Sequence, residues 1–260
     1  MNGLLSGLCV AFSMYSLLPM PQLPWEKKTM RYALCFLPLV GVLVAACEYA
    51  WLMFCQFFQA NTIFYAIGAA LLPILISGGI HLDGLTDACD ALGSHSEPER
   101  RLEIMKDPHV GAFGVLGMLA FLFGEVALFA QFYQNPYNVK IMLFGFFIAR
   151  IVGGRAIVSM PCAKNTGLAH IFAENSEKQR TKQILLVEGI IGSLLLLLVS
   201  RTIWSIVALF FCLLWIIVHG RLCQKRFGGI IGDLAGFLIS ITELIFLFTA
   251  VIGGLCGLIF

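Results

Sequence analysis

Three aspartates, Asp83, Asp87 and Asp90, are spaced i, i+4 and i+7 in the stretch Ser77-Gly-Gly-Ile-His81-Leu-Asp83-Gly-Leu-Thr-Asp87-Ala-Cys-Asp90-Ala-Leu-Gly93-Ser-His95. At about 100° per residue a helix gathers them within an arc of about 60°. Like charges that close repel one another, and the nearest cation in the chain is Arg100. A hard divalent cation held by carboxylate oxygens is the simplest source of positive charge. Mg2+ binds through one or two carboxylates together with the phosphates of a substrate. The spacing therefore predicts metal-assisted chemistry on a phosphorylated substrate, with Asp83, Asp87 and Asp90 as metal ligands and catalytic groups. The plainer alternative is a solvated helix end whose aspartates cap it or offset its dipole.

Other residues could complete such a site. Arg100, Arg101 and Lys106 follow in the next polar stretch and could neutralise phosphate oxygens, or rest on lipid headgroups instead. Asp107, held out of helix by Pro108, returns the chain to the apolar region near where Asp83 left it and is an additional candidate ligand. Arg150, Arg155 and Lys164 run out of an apolar segment into a polar loop. Phosphate binding competes there with snorkelling to the surface. In Gly228-Gly-Ile-Ile-Gly232-Asp233-Leu-Ala-Gly236, Gly232 would let a backbone approach a phosphate, and Asp233 at a helix N-terminus is a further candidate metal ligand. His81 and His109 are expected beside the site rather than on the metal, since His81 lies about 160° from the aspartate face. Glu48, Glu125, Glu188 and Glu243 sit inside apolar runs and keep a transporter reading open.

The elements that must position these groups are membrane helices. Of the 260 residues 59% are hydrophobic and 12% charged, about half the charge a soluble domain carries. A net charge of +2 with no long basic stretch excludes a nucleic-acid-binding protein. Apolar runs near the roughly 20 residues a span requires fall at 32–55, 62–82, 110–133, 138–160, 183–200, 203–220 and 234–258. An all-α polytopic bundle of seven spans is expected. Residues 3–18 would form an eighth span, a re-entrant piece or an interfacial helix. Of the 17 Lys and Arg residues, 13 lie in four alternate loops, which places those loops in the cytoplasm.

The nine cysteines form no C-x-x-C pair and read as small buried hydrophobes. No cleavable signal peptide is evident at the N-terminus. Residues 1–260 read as a single membrane domain with a cytoplasmic active-site loop at 83–109. A homo-oligomer is compatible with this.

The stretch G-G-I-H-L-D-G-L-T-D-A-C-D-A-L-G-S, followed by E-R-R-L-E-I-M-K-D-P-H-V-G-A-F-G-V, resembles the signature of the cobalamin synthase family, the adenosylcobinamide-GDP ribazoletransferases. Arg31 through Phe36-Leu-Pro38-Leu-Val-Gly41, Ala163-Lys164-x-x-Gly167 and the 228–236 glycine-rich element are similar to further elements of that family. The resemblance implies an Mg2+-dependent enzyme of the cytoplasmic (cell inner) membrane. In it, α-ribazole or its 5′-phosphate attacks the diphosphate of adenosylcobinamide-GDP, giving adenosylcobalamin or its phosphate and releasing GMP. A CDP-alcohol phosphotransferase would carry D-G-x-x-A-R, and Asp83-Gly84 is instead followed by Leu-Thr-Asp-Ala. A secondary transporter would show paired repeats with broken helices at the midplane, whereas here the acids concentrate near one face.

Overall fold

Long apolar runs in lipid have to satisfy their own backbone hydrogen bonds, so they become helices. The computed structural model describes residues 3–164 and 166–257, and among these every named element is helical. Six helices are long and apolar enough to cross a membrane: α3 (Ala33–Phe57), α7 (Ala112–Gln134), α8 (Val139–Ser159), α10 (Lys178–Ser200), α11 (Ile203–Phe227) and α12 (Gly232–Gly257). Each matches an expected span to within a turn or two. Residue 258 of the last lies outside the described residues.

The expected span at 62–82 is not one straight helix but a bent pair. Helix α4 (Thr62–Ser77) stops at Gly78 and Gly79, and α5 (Ile80–Gly93) leaves at 98° to it. Both glycines have positive φ, +68° and +79°, a conformation that costs them little and other residues much. Apolar composition carried the hydropathy signal across the bend. Six helices among the described residues are long and apolar enough to span by themselves, and the bent pair makes a seventh if it is one span.

Helix α1 (Gly3–Tyr15) answers the question of the eighth span. Thirteen residues reach only about 20 Å. Its first residue packs near the Lys28 carbonyl, and just past its other end the Leu17 amide donates to Ile76 at 2.8 Å. Both neighbours belong to the same end of the bundle, so α1 lies across that end.

That end is the polar one. The loops carrying α2 (Lys27–Met30), α6 (Pro98–Ile104) and α9 (Leu168–Asn175) meet there. Arg31 pairs with Glu177. The Arg101 guanidinium donates to the Arg226 carbonyl at 3.3 Å, and Lys164 Nζ donates to the Leu102 carbonyl. The Ile230 amide donates to Pro161 at 2.8 Å, and the Ala163 amide to Ile230 at 3.0 Å. At the opposite end, Asn135 and Asn138 donate to the Gly254 and Ala250 carbonyls, tying α7 and α8 to the end of α12. Helices α8 and α12 are the most enclosed, and α7, α10 and α11 present most of their surface outward.

Candidate active site

The aspartate stretch is the helix α5 that its spacing predicts. It lies across the polar end, outside the spanning segments. His81 at its start packs near Gly236 of α12, and Gly93 at its end packs on Phe113 of α7. Its buried face is small or apolar, with Gly84, Leu85, Ala88 and Ala91. Asp83 on the other side is exposed, and Asp87 is half-buried. Gly84 meets the backbone of Asp233, which brings the first turn of α12 up against the acidic helix.

Burial first, and then the charges of Asp83, Asp233 and Asp90 in that order, together push the Asp87 carboxyl up to about 7. Asp87 is thus short of positive charge in the apoprotein. Among the described residues no three His, Cys, Asp or Glu side chains converge closely enough to hold a metal ion by themselves.

Asp233 also lines a cavity of about 230 Å³ at the same end. Its walls come from α5 (Ile80, His81), the segment after α6 (Met105, Lys106), the loop after α8 (Lys164, Thr166, Gly167) and the start of α12 (Ile231, Gly232). Two lysines therefore share the cavity with one aspartate. Burial, and then the Lys106 ammonium, hold Lys164 below its ordinary value, while Asp233 and Glu103 pull the other way. An anion would relieve that repulsion.

Asp83, Asp87, Asp233, Lys106, Lys164 and Gly232 are brought together at this end of the bundle, and His81 lines the cavity from below. His81 is buried and stacks on Tyr15 with ring centroids 6.3 Å apart. Other expected residues make contacts elsewhere. Asp90 accepts from the Gly111 amide with one oxygen and from the Gly114 amide at 2.8 Å with the other, so it caps the N-terminus of α7. This is the alternative set out for the aspartates, with the cap supplied to another helix.

Asp107 is exposed and turned to His109, accepting from its amide at 2.9 Å and contacting its ring at 2.7 Å. Those contacts lower the Asp107 carboxyl, and no aspartate of α5 is among the groups that shift it. Arg100 pairs with Glu103 in solvent. Arg101 is buried and fastens α6 to α11.

Arg150 is completely buried within α8 and pairs with Glu243 of α12. It ties α8 to α12 and is not among the residues lining the cavity. Arg155 opens onto the other side of α8, away from the cavity.

Sequence reasoning missed Tyr15, Thr166 and His170, which also line the cavity. Tyr15 ends an apolar segment, and no spacing links these three to the aspartates.

Residues 7–251 match the family model described as cobalamin-5-phosphate synthase. The chain is 37% identical to the adenosylcobinamide-GDP ribazoletransferase of Lachnoclostridium phytofermentans, covering 92% of this chain and 91% of that one. It is 32% identical to the protein of the same name from Desulfitobacterium hafniense, over 94% and 95%. With its namesake from Clostridium botulinum strain Alaska E43 the identity is 29%, over 96% and 98%. No solved structure matches.

Proposed function

The chain belongs to the cobalamin-5-phosphate synthase family, and we propose that it acts as its relatives are named to act, as an adenosylcobinamide-GDP ribazoletransferase working at the polar end of the bundle. A hydroxyl of α-ribazole, or of its 5′-phosphate, forms a bond to the cobinamide-side phosphorus. The bond from that phosphorus to the bridging oxygen breaks, and GMP leaves with the oxygen. The proton of the attacking hydroxyl passes to a carboxylate of the acidic group and then to water.

The observation that carries this reading is the position of Asp233. It lines the cavity that holds Lys106 and Lys164, and its charge reaches Asp87 on α5. A diphosphate lying across this junction meets cations on one side and carboxylates on the other. Two carboxylates need a bridging cation before they can face a phosphate. The donors are hard oxygens only, which suits Mg2+. With no three protein ligands converged among the described residues, Asp87 with Asp83 or Asp233 would supply one or two ligands, and the substrate's phosphates and water the remainder. When bound, Mg2+ neutralises charge developing on the diphosphate and on departing GMP. Lys106 and Lys164 hold non-bridging oxygens, and the Gly232 backbone allows their close approach.

The polar end faces the cytosol and the membrane is the cytoplasmic one. The 13 cations in the four loops gathered there support this, as does the water-soluble nature of the nucleotide substrate.

The test is incubation of membranes containing the protein with adenosylcobinamide-GDP, α-ribazole and Mg2+, following cobalamin product and GMP by chromatography. Product is expected with Mg2+ and lost with a chelator. Asp83→Asn and Asp87→Asn are expected to abolish turnover while the protein remains in the membrane. Undiminished turnover in either variant overturns the assignment.

A further inference from the structure

The bundle is open on one flank. Between α8, α10 and α11 a groove of about 790 Å³ runs inward from the polar end. Its walls include Leu186, Ile190 and Leu194 from α10 and Leu209, Leu213 and Ile216 from α11. From Leu185 to Leu194 the α10 wall is about 14 Å long, close to the depth of one leaflet, roughly 15 Å.

The charge in this groove is Arg155. It stands four residues before the end of α8, about 6 Å in from the helix end. Its Nε is buried with no hydrogen-bond partner. Lys182 precedes Leu186 by one turn of α10, and Arg221 precedes Gln224 by three residues on α11, so both add positive charge near the same mouth. Arg155 as a whole is half-buried, and a guanidinium nitrogen left without a partner among apolar side chains is costly.

We propose that this groove is a binding site for an anionic phospholipid, its phosphate on Arg155 and an acyl chain along the walls of α10 and α11. The leucine and isoleucine walls disfavour a free phosphate or a nucleotide, and the three cations favour a headgroup with net negative charge. The lipid also buttresses the active site. Gly153 and Ile157 of α8 line the cavity, whereas Val152, Arg155 and Ala156 on the adjoining face line the groove. Pro161, at the mouth of the groove, accepts the Ile230 amide and so holds the loop before Asp233.

The test uses the full chain, purified in mild detergent, with bound lipid measured by native mass spectrometry and phosphorus assay. Dioleoylphosphatidylglycerol is then returned to delipidated protein, with dioleoylphosphatidylcholine in parallel. Wild-type protein is expected to retain phospholipid and to bind the phosphatidylglycerol on the order of tenfold more tightly than Arg155→Gln, which loses a charge-assisted hydrogen bond. Gly220→Phe tests the walls independently of charge. Gly220 lines the groove and a β-carbon there meets nothing within 4 Å, so the variant's ring is expected to occupy the groove and block retention. Monodisperse elution of each variant shows that it is folded, and the second variant decides should the first fail to fold. Equal retention by wild type and both variants overturns the proposal. So does equal affinity for the two lipids, or a dimer in the native spectrum that Gly220→Phe dissociates, which makes a second copy the occupant.

Discussion

Gly84 of α5 and Asp233 of α12 meet through their backbones, so that a β-carbon on Gly84 would stand 2.5 Å from the Asp233 carbonyl oxygen. This approach brings the acidic helix to the cavity, and it leaves no room for any other residue at position 84. Gly84→Ala is expected to push α5 off α12, destabilising the protein by about 1–3 kcal/mol through overpacking and reducing turnover at least as much as stability. Thermal inactivation and product formation, measured on the same membranes, check both effects.

Asp87 gives a pH dependence. Its carboxyl lies at about 7 in the folded apoprotein, above its ordinary value of 3.8. Between those two values the folded state holds a proton that the unfolded state has lost, so stability falls as pH rises through this window and levels off above it. In detergent with a chelator, the melting temperature is expected to decline from pH 4 toward pH 7, with the slope reduced in Asp87→Asn. Adding Mg2+ near neutral pH is expected to recover stability in the wild type and much less in the variant.

Asp90 separates capping from catalysis. With its two oxygens on the Gly111 and Gly114 amides, Asp90→Ala is expected to cost about 0.5–2 kcal/mol of stability. Asp90→Asn keeps one acceptor and is expected to retain most turnover under conditions where Asp83→Asn and Asp87→Asn retain none. Complete loss in Asp90→Asn with an unchanged melting temperature returns Asp90 to the reaction itself.

The buried pair of Arg150 and Glu243 predicts a structural phenotype. Removing either partner strands a charge inside the bundle, a loss of about 3–5 kcal/mol. Arg150→Leu and Glu243→Leu are each expected to lower the yield of monodisperse protein sharply, and the double variant to recover part of it. Size-exclusion profiles of the three read this directly.

Hydropathy and charge settled the membrane class, the six long helices and the polar end, because each depends on composition within a window shorter than a helix. The spacing of Asp83, Asp87 and Asp90 settled that they lie on one helix, since helical periodicity is local. What surrounds each of them was decided elsewhere. Asp90 is taken by amides 21 and 24 residues away, and Asp87 is raised by burial, by Asp83 and then by Asp233, which lies 146 residues further along the chain. Arg150 and Arg155, five residues apart, face a glutamate of α12 and an open flank respectively. A single sequence records what each side chain is and how it repeats along its own helix. The partner that satisfies, tunes or exposes it comes from another helix, and only packing in three dimensions selects that partner.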